Sequence, residues 1–170
     1  VKYSYFYNSD DHSAIAGNSA SGKIIFIYRS LFNGNVYLSN GNSKNDKLRK
    51  FISPGLAVNS DDFKEQSAAI WQNYIVFSSA RKDDPNDYDL YFAMMDENYK
   101  VSSVTLISEL STSKPEVDVR FMSDGTLLFS SKKDHSYKPF FSTYDGTKWS
   151  TPTEIPFIPE EYTNWSVRDF

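Results

Sequence analysis

Basic side chains recur directly after three short apolar runs: Arg29 after 24–28, Arg81 and Lys82 after 74–80, and Lys132 and Lys133 after 127–131. Gathered on one face, these cations would form a partial ring that attracts carboxylates or an acidic partner surface. Paired with Asp83, Asp84 or Asp134 on neighbouring turns, they would instead be ordinary surface ion pairs. The stretch Asp83-Asp84-Pro85-Asn86-Asp87-Tyr88-Asp89 concentrates oxygen donors, with Asp84, Asp87 and Asp89 as candidate ligands. A calcium ion takes about six to eight oxygens, often from one such loop. The stretch lacks the sharp-turn glycine and terminal glutamate of an EF-hand, so a solvated hairpin loop explains it better. Beyond calcium, no cofactor is implied.

Aromatic residues offer a second chemistry. Trp71, Trp149 and Trp165, with Tyr137, Tyr144 and Tyr162, combine apolar faces with polar handles on which sugar rings stack. The bland alternative for Trp149 is packing between adjacent sheets. Catalysis finds less support. His12 and His135 are the only histidines, and neither has a partner at metal-ligand spacing. Nucleophile-elbow, phosphate-loop and zinc-protease motifs are missing. A glycosidase needs two carboxylates facing across a cleft; Asp11, Asp62, Glu116 and Asp118 are the acids on offer, and generic acidic turns account for them. Asn164-Trp165-Ser166 is a formal glycosylation sequon, meaningful only in a eukaryotic secretory setting.

Composition narrows the class. A chain of 170 residues is long enough to bury a sizeable core in one domain, here taken as 1–170. The net charge of −4 disfavours nucleic acid, whose partners show a basic field. The longest apolar runs, about six residues, fall far short of the roughly 20 a membrane-spanning helix needs. Cysteine is absent, which excludes disulfides and thiolate metal sites. The chain opens on Val1 with no charged-then-apolar segment, which reads as a processed or trimmed chain and leaves room for a targeting signal removed upstream.

These residues must be positioned by a repeat. Phe26, Phe77 and Phe129 recur within the three apolar runs at spacings of 51 and 52 residues, and self-similarity at a fixed period marks a repeat architecture. Each period divides into four strands: 13–17, 23–29, 35–39 and 47–52; then 67–71, 74–80, 88–94 and 101–107; then 117–122, 126–132, 138–144 and 153–157. Ser21-Gly22, Asn33-Gly34, Asn40-Gly41, Asp124-Gly125 and Asp145-Gly146 punctuate them, and such pairs tolerate the positive φ of tight hairpins. In 88–94, Tyr88, Leu90, Phe92 and Met94 share one face. The second strands are almost continuously apolar, as a strand covered on both sides would be. The expected fold is all-β, a β-propeller-like array of four-stranded antiparallel sheets with blades near 13–52, 67–107 and 116–158.

The segment Phe121-Met122-Ser123-Asp124-Gly125-Thr126-Leu127-Leu128-Phe129-Ser130-Ser131 resembles the repeat of the WD40-like, TolB-type propellers. Residues 18–26 follow the same outline without the Asp, and Trp71-Gln72-Asn73-Tyr74 has lost Asp-Gly altogether. Asp87-Tyr88-Asp89-Leu90-Tyr91 and Asp145-Gly146-Thr147-Lys148-Trp149-Ser150-Thr151-Pro152 are similar to that family's third-strand and Gly-x-Trp-Ser-x-Pro elements. The latter also resembles the Asp-box turn of sialidases and some lectins, one residue short. The resemblance implies a noncatalytic protein-interaction module, in a bacterial periplasm or at the cell surface, holding a protein partner on one face. Its rivals are a carbohydrate-binding, lectin-like propeller and a glycoside hydrolase on the same scaffold. Propellers have about four to eight blades, and three are legible. Terminal strands at 1–7 and 164–170 would seal a small ring, a second copy or companion chain would complete one, or the chain is a piece of a longer propeller.

Overall fold

The computed structural model describes residues 13–19, 24–29, 34–40, 51–81 and 84–156. The expected terminal strands at 1–7 and 164–170 lie outside the described residues, as does most of the strand expected at 47–52. Twelve strands are described. They are β1 Ser13–Asn18, β2 Ile24–Arg29, β3 Asn35–Asn40, β4 Phe51–Ile52, β5 Glu65–Trp71, β6 Tyr74–Ser79, β7 Asp89–Met94, β8 Thr105–Leu106, β9 Glu116–Phe121, β10 Leu127–Lys133, β11 Ser136–Ser142 and β12 Thr153–Glu154. Among the described residues there is no helix.

The strands form three four-stranded sheets in the orders β1-β2-β3-β4, β5-β6-β7-β8 and β12-β11-β10-β9. Every pairing is antiparallel and between neighbours in sequence. A sandwich drawing strands from distant parts of the chain is thereby excluded. The β-propeller-like array expected from the repeat period is the fold observed.

The first strands β1, β5 and β9 lie against one another. A parallel bridge joins Ser19 to Ile70, so β1 and β5 run side by side in one direction, as inner strands around a common axis do. Each inner strand carries a register shift: between Ile15 and Gly17, between Glu65 and Ser67, and opposite Phe129 in β9. Bulges sharpen local twist and bend the strand, which lets three sheets converge. Gly17 marks the closest approach. A Cβ there would sit 2.1 Å from the Ala68 carbonyl oxygen and 3.6 Å from that of Val119.

The middle sheet is apolar on both faces. Ala68, Ile70, Ile75 and Phe77 pack toward Phe26 and Leu38 of the first sheet. Ala69, Val76 and Leu90 pack toward Phe121, Leu127 and Phe129 of the third. This double burial explains the unbroken apolar run in β6, where Ile75, Val76 and Phe77 have no exposed surface. In β7, Leu90 joins one cluster and Tyr91 and Ala93 the other, while Met94 at its end is 58% exposed. The outer strands β4, β8 and β12 are two residues long; short edges offer little template for unwanted pairing.

Gly17→Ala is expected to destabilise the fold by about 3 kcal/mol, because the clashing atom is backbone and cannot swing aside. Urea unfolding followed by tryptophan fluorescence measures it; a loss under about 0.5 kcal/mol would show that the inner strands do not meet as described.

Candidate functional site

Glu65 opens β5 and Glu116 opens β9, and both are fully buried. A buried carboxylate survives only with partners. Ser79 Oγ donates to Glu65 Oε1 at 2.8 Å, and Ser131 Oγ donates to Glu116 Oε1 at 2.8 Å. Thr112 adds its backbone N–H and hydroxyl to Glu116 at 3.0 and 2.8 Å. The backbone N–H of Glu65 donates to Gly34 O at 2.8 Å, and that of Glu116 donates to Tyr88 O at 2.6 Å. Gly34 and Tyr88 each stand just before the third strand of the preceding sheet. One residue therefore ties an inner strand to its own second strand through the side chain, and to the neighbouring sheet through the backbone.

Arg81 completes the first of these joints. Its guanidinium donates to Ala57 O at 2.8 Å, to Val58 O and to Ser79 Oγ at 3.0 Å, and lies 3.4 Å from Glu65 Oε1. It sits over the rings of Phe77, Tyr91 and Phe63 at 5.1, 5.3 and 5.9 Å. Asn59 fastens the same 53–64 connection to the first sheet, accepting from Val36 N at 3.1 Å and donating to Val36 O at 2.8 Å. Burial pushes the Glu65 carboxyl up to about 7, against the opposing pull of its Ser79 bond and the Arg81 charge. Glu116 is raised as well, mainly by burial.

The other expected cations stand differently. Arg29 closes β2, three residues after Phe26, and pairs with Asn35; its side chain and Lys82 lie outside what is described. Lys132 is likewise three residues after its Phe, whereas Arg81 and Lys133 are four after theirs. Arg81 lies past the end of β6, and its guanidinium is taken up by the Ala57 and Val58 carbonyls, Ser79 and Glu65. Lys132 is half-buried and faces Tyr137 across β10 and β11. Lys133 is exposed and pairs with Glu154 of β12 at 3.0 Å, which raises its pKa. Tyr137 is half-buried, and burial together with the charges of Asp118 and Glu116 raises its phenol.

The acidic stretch divides. Asp84 is exposed and caps its own turn, accepting from Asn86 N at 2.9 Å, whereas Asp89 is fully buried at the start of β7. Asp87 lies at the edge of that turn, its backbone N–H donating to Asp84 O at 3.1 Å. Among the described residues, no group of three or more candidate ligands is placed to hold a metal ion.

The opposite end of the second and third sheets is aromatic. Trp71 and Tyr74 stack at 6.3 Å on either side of the β5–β6 turn, and Tyr74 meets Phe92 at 5.3 Å and Tyr144 at 5.8 Å. Trp149 packs on Phe92, Phe121 and Tyr144 at 5.9, 6.4 and 5.1 Å. At 6% exposure its ring is enclosed between the two sheets and offers no open face to a sugar. The half-buried rings of this cluster are Trp71, Tyr74, Phe92 and Tyr144, of which Tyr74 escaped the sequence reading as a site residue. Met94, 58% exposed at the end of β7, is the cross-strand partner of Tyr74, while Met122, 43% exposed, follows Phe121 at the end of β9.

No family model and no curated protein matches this chain. Among solved structures it is similar to a post-proline cleaving enzyme from Rickettsia typhi, at 13% identity and a TM-score of 0.46, over 86% of this chain. The chain spans 22% of that enzyme's length. The class rests on the sheet topology itself: a propeller-type array of four-stranded antiparallel sheets.

The folded chain holds the Glu65 proton more tightly than the unfolded chain, whose carboxyl titrates near 4.5. Stability is therefore greatest below that value and falls as pH rises toward 7, by about 3 kcal/mol for this group. Glu65→Gln should flatten that fall in denaturation curves taken between pH 4.5 and 8; an unchanged slope would mean Glu65 is not the titrating group. Arg81→Ala should cost about 3 kcal/mol, as loss of a buried ion's partner does. The exposed Lys133→Ala should cost under about 0.5 kcal/mol; equal losses in the two variants would contradict this assignment.

Proposed function

We propose that this chain is a noncatalytic protein-binding module on a propeller-type scaffold, similar to TolB-type repeats and working in the periplasm or at the cell surface of a bacterium. The observation that carries the reading is the apolar surface at the aromatic end, where exposed Met94 pairs across the strands with half-buried Tyr74, itself in contact with Trp71 and Tyr144. Thioethers adapt to varied partners and recur on protein-binding surfaces, and aromatic residues concentrate in the cores of interfaces. The noncatalytic part is supported by the acids. Glu65 and Glu116, both buried, receive serine hydroxyls that fasten an inner strand to its own second strand. A carboxylate bound in that way supports architecture rather than a reacting group. The resemblance of 121–131 to TolB-type repeats supports the bacterial extracytoplasmic setting.

The immobilised chain is to be screened in parallel against a random peptide library and a glycan array. Enriched peptides with a silent array are the expected result. Glycan hits without peptide enrichment, or hydrolysis of aryl glycosides by the purified chain, would replace this reading with one of its rivals.

A further inference from the structure

Four turns meet at the aromatic end, and their chemistry is uneven. The β5–β6 turn carries exposed Gln72 and Asn73, with Gln72 held at φ 56° although it is not glycine. The segment after β7 is joined to that turn by the bond from Met95 N to Asn73 O at 2.8 Å, and it carries exposed Asp96 and Glu97. The β9–β10 turn presses Gly125 against the Trp71 ring, so close that a Cβ would lie 2.6 Å from it, and places Asp124 alongside. The last turn follows Tyr144 with Asp145 and Lys148.

Asp96, Asp124 and Asp145 each brace their own turn by accepting backbone N–H groups at 2.8–2.9 Å. The Thr126 bonds lower the Asp124 pKa, and the bonds from Thr147 and Lys148 hold Asp145 at about 2. Both therefore stay ionised at any physiological pH. Of the nearby cations, Lys100 is directed to Ser53 O at 2.7 Å, leaving Lys148 as the exposed cation of the last turn. The rim is acidic, and what it surrounds is aromatic and thioether.

Building on the protein-binding reading, we infer that this end of sheets two and three docks a basic, apolar segment of a partner protein. Arginine or lysine would lie over Tyr74, Tyr144 or Trp71 within reach of Glu97 and the turn aspartates. Cations stack on aromatic faces and are drawn by surrounding carboxylates. The partner's aliphatic residues would cover Met94. Trp71, Tyr74 and Phe92 stack in a row at 19° and 29°, and Tyr144 meets Tyr74 at 71° and Phe92 at 44°. Gln72 deepens the case. Backbone held outside its ordinary region at an exposed turn costs stability and gathers at recognition sites, and this is the turn where the repeat has given up Asp-Gly.

The test uses fluorescein-labelled peptides of five Arg-Leu repeats and of five Glu-Leu repeats, titrated with the whole chain and read by anisotropy. The Arg-Leu peptide should bind and the Glu-Leu peptide should not. Glu97→Lys and Met94→Ala, both at exposed positions, should weaken binding about tenfold or more, equivalent to about 1.4 kcal/mol. Glu109→Lys makes the same charge change at the far end of the sheets and should leave binding within about twofold. Equal loss from Glu97→Lys and Glu109→Lys would reduce the effect to net charge and overturn the assignment, as would a chain indifferent to the Arg-Leu peptide. If the random library still yields binders in that case, the protein-binding reading stands and only this docking surface falls; an empty library removes both.

Discussion

Much of this architecture depends on burying a carboxylate at the first residue of an inner strand. Taking Glu65 or Glu116 out of water is costly, and the raised pKa of each records that cost. What is gained in exchange is register. Because strand side chains alternate, slipping β5 by one residue against β6 would turn Ser79 away and leave the carboxylate without its donor. An apolar pair would tolerate that slip far better. The joint is thus a specificity device first, consistent with the modest net worth of many buried ionic contacts.

The joint also divides the molecule into two ends with different duties. Glu65, Ser79 and Arg81 lie where β5 begins and β6 finishes, together with the 53–64 connection that crosses from the first sheet. There the cation, the acid and the connecting carbonyls are bound to one another. Gly17 and Ala68 bring the inner strands into backbone contact along the same array. At the other end, the turns after β5, β7, β9 and β11 meet through ring contacts and one backbone bond rather than through a buried ion, and differ in residue type from sheet to sheet. A frame fixed in register at one end leaves its opposite turns free to vary.

The framework was legible because it rests on residues the repeat keeps. Phe26, Phe77 and Phe129 are all essentially without exposed surface, as one period-locked position in each second strand should be. The glycine turns read correctly too: Gly125 and Gly146 adopt φ of 88° and 99°, which side chains rarely do. The fate of the cations was not legible. Arg81 is enclosed by Ala57 and Val58, which lie 24 and 23 residues upstream, and no local pattern announces that a connecting segment will fold back over it. Glu116 read as a generic turn acid and Glu65 escaped notice, although a signal existed. The two glutamates are 51 residues apart, matching the Phe period, and each accompanies a Phe-Ser-Ser sequence. The first repeat reads Phe26-Ile27-Tyr28, with Ala14 at the position opposite Tyr28. Serine and glutamate are present together or absent together, which is what a hydrogen-bonded pair requires.

Departures from a repeat are informative in proportion to what they cost. Where the third repeat turns through Asp124-Gly125, the second turns through Gln72-Asn73 with Gln72 at positive φ, a penalty of about 1 kcal/mol for a non-glycine residue held there. Packing does not offer an obvious return, since Gln72 and Asn73 are both exposed. The flanking Trp71 and Tyr74 stack on each other through their own rings. The side chains that the substitution adds point at neither core cluster. A cost without an internal return leaves the exterior as its justification, and it falls on the turn between the two rings that the frame leaves half uncovered.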